Sequence, residues 1–425
     1  MSVKLINQAY GSDSHLSQPL SQRMKPLVII EQHSRWLKPL STLLNRPIIP
    51  CATTYQALGH GLWQGDPPMD QLVDWLFAAQ PAQRKQQFEQ ALQQGIDSVQ
   101  PCPDALRDFF EQIEQPPAWV DLKKLDKAVE FIAASGIHAN YILRDMALMG
   151  GYLLSGLNQS LVLTGALNKS AAQRLAETSK WWIDCTSKDG LARQNAGFKL
   201  TIQVRLIHAL VRRNLKKRPE WQANLWGLPI NQIDLAATNL AFCSLFLIGL
   251  RAIGIFPTRQ EAQAVMHFWK YLGWLMGINE RWLVDTELDG GILLYQLVQT
   301  QPAADWTSQA LGQALSKEPF EKQHKYFTNW QQQLDYYKHL SISRYFLGAK
   351  NMQLLGLPKT ILPWFPLLIT PKNLLTFRLQ RHIPWLRQQQ VKRGRQAQLN
   401  YQAQFGKKGQ QVIKPAKNHP AYIAD

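Results

Sequence analysis

Residues 174–212, RLAETSKWWIDCTSKDGLARQNAGFKLTIQVRLIHALVR, decide the reading of this chain. Their spacing predicts two helices joined by a loop that carries Gly190. In the first helix Arg174, Glu177, Thr178 and Trp181 recur at i, i+3, i+4 and i+7, so they share one face. In the second, Arg205, His208 and Arg212 share a face by the same arithmetic. Val204, Leu206, Ile207, Ala209, Leu210 and Val211 fill most of the rest, and a helix apolar nearly all round belongs in an interior. A histidine bracketed by arginines in such a place needs an explanation.

Two explanations fit the spacing. In one, His208 is an axial ligand to haem iron, because neutral imidazole serves that role and the propionates of a macrocycle want guanidinium partners. Arg205 and Arg212 would then reach propionates, while Arg174, Glu177 and Thr178 supply polar and acid/base groups to the opposite side. In the other, Arg-x-x-His-x-x-x-Arg is a solvated stripe on an ordinary amphipathic helix, with His208 bonded to a carbonyl. Glu177 divides in the same way, as a proton-transfer group or as an i, i+3 ion-pair partner of Arg174.

Helical periodicity extends outward from this pair in both directions. Upstream, MDQLVDWLFAAQ and the glutamine-rich AQRKQQFEQALQQG read as helices, the second ended by Gly95, with Phe88, Leu92 and Ile96 on its apolar side. CPDALRDFFEQIEQPP is a short helix capped by Asp104 and stopped by Pro116-Pro117. DLKKLDKAVEFIAASG and HANYILRDMALMGGYLLSGLNQSLVLTG are two more. Strand signals are weak throughout, so the expected fold class is all-α.

Composition narrows the class further. The chain has 425 residues, 45% of them hydrophobic, and 15 tryptophans, a load that suits an enclosed flat cofactor or a greasy substrate. No apolar h-region occupies residues 1–26, which predicts no secretory signal, and the cytoplasm is the expected compartment. Four scattered cysteines (51, 102, 185 and 243) form no C-x-x-C or C-x-x-C-H, which excludes the usual covalent haem attachment and any disulfide framework. H-E-x-x-H, G-x-S-x-G, a phosphate-binding glycine loop and a dinucleotide fingerprint are all missing, leaving metalloprotease, serine hydrolase, NTPase and Rossmann dehydrogenase without support.

Two apolar stretches invite a membrane reading. Leu235–Leu250 spans 16 residues, short of the roughly 20 that a bilayer crossing needs, and is expected to be one core helix. Residues 357–371, LPKTILPWFPLLITP, carry four prolines after Leu357 and cannot be one regular helix. Beyond them charge concentrates: residues 371–425 hold 11 Lys/Arg against the lone acid Asp425, within a formal net charge of +17. Leucines, Phe377 and Trp385 interleave with the basic residues, which predicts peripheral contact with an anionic membrane through 372–395 or, alternatively, a tail packed on the domain. No nucleic-acid motif accompanies the charge. Among other histidines, His267 in AVMHFWKYLGWLMG is the best rival iron ligand, although a core role suits it better; His138 and His339 lack flanking arginines.

The RLAET and VRLIHALVR blocks, spaced as here, resemble the family of latex clearing protein/MpaB-type haem-dependent oxygenases. The likeness includes GDP (Gly65 to Pro67), PPAWVD (Pro116 to Asp121), the GLPINQIDLAATNLAFCSLFLIGLRAIGI stretch, His267 to Asp285, SRYFLG with Arg344, and LLGLP (Leu354 to Pro358). It covers roughly residues 60–360. The resemblance implies haem b as cofactor, His208 as the iron ligand, and Arg205, Arg212 and Arg344 in support of cofactor binding. It implies Arg174, Glu177 and Thr178 as catalytic residues of the distal pocket, with dioxygen and an apolar, unsaturated terpenoid- or lipid-like molecule as substrates. Rubber-cleaving members carry a lysine where this chain has Glu177, a lysine that can take the sixth iron position, so the MpaB-like branch fits better than polyisoprene cleavage. The expected organisation is an irregular lead-in (1–60), a large single helical domain with a globin-like haem-binding core (61–360) and a basic amphipathic tail (361–425). The alternative is a non-catalytic haem-binding sensor or carrier at the inner face of the membrane.

Overall fold

The structure, a computed structural model, describes residues 20–322 and 328–406. The first 19 residues of the lead-in, the tail from residue 407, and His15, His324 and His419 lie outside them. Every regular element among the described residues is helical. Helices α1 (Leu27–His33), α2 (Lys38–Leu44) and α3 (Ala52–Gly61) lead into α4 (Pro67–Ala78), α5 (Pro81–Gln94), α6 (Asp104–Glu114) and α7 (Leu122–Ala134). Next come α8 (Ile137–Tyr141), a π-helical segment (Ile142–Leu148), α9 (Met149–Gly151) and α10 (Ser155–Leu163). The central pair is α11 (Ala171–Cys185) and α12 (Ala196–Leu215), followed by α13 (Ala223–Trp226), α14 (Gln232–Phe242), α15 (Ser244–Ala252) and α16 (Arg259–Leu275). The chain closes with α17 (Glu287–Gln299), α18 (Trp306–Ser316), α19 (Thr328–Leu354), α20 (Trp364–His382) and α21 (Pro384–Ala403).

Local signals place many of these ends. Pro67 and Pro81 open α4 and α5, where a missing N–H costs nothing. Gly95 at φ 98° ends α5, and the Asp121 carboxylate accepts from Lys123 and Lys124 to start α7. Asp104, expected as a cap, is instead the first helical residue of α6, and its carboxylate sits in the positive first turn.

Two long helices expected from the sequence are divided, and a third segment departs from expectation. His138–Gly165 breaks at Tyr152–Leu154, where Asn158 Nδ2 donates to the Tyr152 carbonyl and competes with the helix ladder. The Leu235–Leu250 run parts at Cys243, and Ser244 beside the break packs onto bare Gly290 of α17. Residues 232–252 are long and apolar enough to cross a membrane, yet 72% of that window is buried among other helices, as a core element would be. The third case runs the other way. Helix α20 starts at Trp364 and continues through Pro371, because the carbonyl that Pro371 leaves unbonded belongs to exposed Leu367 and can meet water.

Helix α12 runs through the interior against α11, α4 and α16, and α16 packs along α7. An aromatic cluster ties three of these elements together. Phe242 stacks on fully buried Trp269 at 4.6 Å, and Trp181 meets both edge-on at 5.7 and 6.0 Å. The π-helical segment is held by a buried polar network. Arg144 Nε donates to Glu318 Oε2 at 3.0 Å and Nη2 to the Leu315 carbonyl at 2.8 Å, while a further donor binds Asp145. Asp145 Oδ2 meets His339 Nδ1 at 2.6 Å, and burial pushes the Asp145 carboxyl up to about 7 against the pull of Arg144.

Helix α21, drawn from the basic tail, is part of this body. Gly394 lies against the backbone of Ala133 and Gly136, Gln398 donates to the Ile132 carbonyl, and Gln402 donates to that of Ala176. Arg387 binds Glu130 and Glu261, and Arg395 donates to the Thr186 carbonyl, so these two cations are committed to protein partners.

Candidate functional site

Helices α11 and α12 form an antiparallel hairpin with a fixed register. Cys185 Sγ donates to the Gly197 carbonyl at 3.5 Å, and Trp181 Nε1 donates to Thr201 Oγ1 at 3.1 Å. Gly197 is required there, since a Cβ would sit 2.6 Å from the Cys185 Cα. Continuing two turns from the Trp181–Thr201 bond brings Arg174 opposite His208, with Thr178 opposite Val204 between them. Those facing positions are not closed: Thr178 is exposed, and Arg174, Val204, Ile207 and His208 are half-buried. The hairpin is therefore tight at its loop end, and toward His208 its facing positions keep partial exposure.

The His208 imidazole is half-buried, and its Nδ1 is enclosed without a hydrogen-bond partner. Desolvation, reinforced by the Arg212 guanidinium and opposed by Asp66, pushes its pKa down to about 4, which keeps the ring neutral at pH 7. On the facing helix, Arg174 hydrogen-bonds the buried Tyr152 phenol and keeps an enclosed, unpartnered Nε. Thr178 Oγ1 donates to the Arg174 carbonyl within its own helix. Glu177 is buried, but its partner is not Arg174. Lys169 Nζ grips both carboxylate oxygens at 2.6 and 2.7 Å, and Gln173 adds a longer contact at 3.4 Å.

The two arginines flanking His208 turn to aspartates near the start of α4. Arg205 makes a bidentate pair with Asp66 (2.6 and 2.7 Å), donates to the Leu275 carbonyl at 3.1 Å and lies over the Phe109 ring. Arg212 Nε meets both oxygens of Asp70 at 3.0 Å, and Nη1 donates to the Ile230 carbonyl at 2.6 Å. Its Nη2, though 2.9 Å from Asp70, has no hydrogen-bond geometry to any acceptor and so keeps donor capacity. Burial raises the Asp70 carboxyl, with Arg212 opposing. Gly277, at φ 80°, leaves room for the first pair; a Cβ there would lie 2.2 Å from Asp66 Oδ2. Gln232 stitches the surrounding loops, donating to the Gly65 and Gly277 carbonyls.

Two other predicted residues stand apart. Arg344 lies on α19, which packs on the π-helical segment and α20, and its Nε donates to the Lys359 carbonyl at 3.1 Å. His267, the rival ligand, uses Nε2 to accept from the Asp121 backbone N–H at 2.9 Å, and its ring meets Trp119 edge-on. Sequence reasoning missed Lys169, Tyr152, Asp66 and Asp70 as neighbours of the site. The GDP segment was visible, and its aspartate together with Asp70 four residues later was the available signal.

Residues 138–370, more than half of the chain, match the family described as ER-bound oxygenase mpaB/B'/Rubber oxygenase, catalytic domain. The chain belongs to the mpaB/rubber oxygenase family. It is an oxygenase of that class. Arg174, Glu177, Thr178, His208 and Arg344 all lie in the matched span, while Asp66 and Asp70 precede it. The fold is that of latex clearing protein LCP in its closed state: the two superpose with a TM-score of 0.60 at 19% identity, over 79% of this chain and 88% of that one. No curated protein sequence matches the chain significantly.

Proposed function

We propose that this mpaB/rubber oxygenase family member uses haem b, ligated through His208, to oxidise or cleave an apolar, unsaturated terpenoid- or lipid-like molecule with dioxygen. One observation carries the reading: a desolvated imidazole, kept neutral by burial, has its Nδ1 enclosed and unpartnered. An axial ligand must be neutral, and desolvation supplies that state without a carboxylate partner. When bound, haem would supply the iron at which dioxygen is activated.

The chain's own residues have separable tasks. Arg205 and Arg212, anchored by Asp66 and Asp70, fix the rotation of α12 and hence the direction of the His208 ring. Both guanidinium groups are committed to protein partners, Arg205 to Asp66 and the Leu275 carbonyl and Arg212 to Asp70 and the Ile230 carbonyl, so both act on the position of the ring. Arg174 keeps an enclosed Nε without an acceptor, a donor of the kind that stabilises developing negative charge. Glu177 supplies a carboxylate on this side, held in place by Lys169. Beside His208, half-buried Val204 and Ile207 present apolar surface suited to a hydrocarbon chain.

The test is spectroscopic. Protein expressed with ample haem supply shows a Soret band that His208→Ala abolishes while the helical circular dichroism persists. A colourless wild-type protein, or a Soret band unchanged in His208→Ala, refutes the assignment. Oxygen uptake with terpenoid alkenes, lowered in Glu177→Gln at unchanged haem content, distinguishes an oxygenase from a haem carrier.

A further inference from the structure

Helix α20 is built the wrong way round for a surface helix in water. Trp364, Leu367, Leu368, Pro371, Leu374, Leu375 and Leu379 recur at i, i+3 and i+4 and form one continuous stripe, and all seven are exposed. Exposure reaches 61% at Leu367, 68% at Leu368 and 63% at Leu375. On the opposite side Pro366 and Asn373 are buried and Ile369 and Phe377 pack half-buried against the core, while Asn373 Nδ2 donates to the Ile253 carbonyl at 2.9 Å, so the apolar stripe is a second, unpartnered face. Contiguous apolar surface of this kind marks a docking site rather than scattered exposed leucines.

The charges around the stripe say what covers it. Lys372 and Arg378 stand exposed along the same helix, which contains no acid, and no Asp or Glu occurs anywhere between residues 336 and 424. Trp385, 64% exposed, and Leu362, 73% exposed, extend the apolar surface past the two ends of the helix. Pro371 adds an unbonded carbonyl on the same side, tolerable where headgroups and water remain available. We infer that α20 lies flat in the headgroup layer of an anionic bilayer, its leucines inserted and Lys372 and Arg378 at the phosphates. The contact thus belongs to the α20 face, whereas α21 is docked on the protein body. This inference stands on α20 alone and does not depend on haem.

The experiment is flotation of the full chain with vesicles of phosphatidylcholine containing 30% phosphatidylglycerol, run beside pure phosphatidylcholine, with the oligomeric state measured by light scattering. Wild-type protein floats with the anionic vesicles. Leu367→Ser/Leu368→Ser weakens partitioning by about tenfold or more, from the lost apolar insertion. Lys372→Glu/Arg378→Glu does the same by charge and serves as a second variant that leaves the apolar stripe intact. Leu122→Ser, at an exposed leucine on α7, leaves binding unchanged. No flotation with anionic vesicles, or flotation insensitive to both double variants, overturns the inference. So does a self-associated protein that becomes monomeric in Leu367→Ser/Leu368→Ser without ever binding vesicles, since a second copy would then be the occupant.

Discussion

Substituting Asp66→Asn tests whether a buried ion pair sets the position of the candidate ligand helix. Arg205 and Asp66 are 3% and 1% exposed, and their two hydrogen bonds measure 2.6 and 2.7 Å. Asparagine keeps the shape and one acceptor but removes the anion, so the guanidinium stays buried without a counter-charge. Breaking such a pair costs about 3–5 kcal/mol. The surviving bond to the Leu275 carbonyl and the Phe109 ring place this case at the lower end, about 3 kcal/mol. For a chain of this length that corresponds to a fall in Tm of roughly 3–5 °C. The double variant Asp66→Asn/Arg205→Met removes the stranded cation too and recovers most of the loss, because the penalty lies in the unpaired charge rather than in the absent bond. Thermal unfolding by circular dichroism on the four proteins measures the cycle. A single variant within about 0.5 kcal/mol of wild type, or a double variant no better than the single, refutes the reasoning.

Further outcomes follow from the same site. Replacing Lys169 by Met strips the buried Glu177 carboxylate of its ammonium partner and lowers stability by about 1–3 kcal/mol, read by thermal unfolding; a Tm unchanged from wild type removes the pair from the stability of this region. Two desolvated histidines also withdraw stability as pH falls below about 6.5. His208 and His138 are each pushed down to about 4 by burial, so the unfolded chain binds protons that the folded chain refuses between those values. Their share of the slope of stability with pH is positive in that window and amounts to at most ~3 kcal/mol per histidine, while the Asp145 carboxyl, held up at about 7, contributes with the opposite sign. Urea unfolding at pH 7 and pH 4.5 measures it, and His138→Gln together with His208→Gln flattens the dependence; an unflattened curve assigns it to other groups.

Much of the site could be read from spacing because a helix converts sequence separation into direction. Arg174 and Thr178 share the face of α11 that Trp181 presents to α12, as the i, i+3, i+4 pattern implies. Partner identity was not legible by the same means. Arg205 and Arg212 look like anion-seeking groups in the sequence, and they do find anions, but those are Asp66 and Asp70 from a segment more than 130 residues earlier. Glu177 has Arg174 one turn before it, yet the ammonium that holds it comes from Lys169, ahead of the helix. Asp145 and His339 form a buried pair although 194 residues separate them, and no local signal marks either.

By itself the sequence determined an all-helical chain, the hairpin at its centre, the neutral apolar setting of His208 and the basic end of the polypeptide. Periodicity and capping are local, so they survive without knowledge of neighbours. Only the tertiary structure decided which anion each arginine takes, where the long apolar run breaks at Cys243, and that α21 docks while α20 turns its leucines outward. These depend on which surface lies across from a residue. A helix face has no preference between protein, cofactor and lipid until something is packed against it.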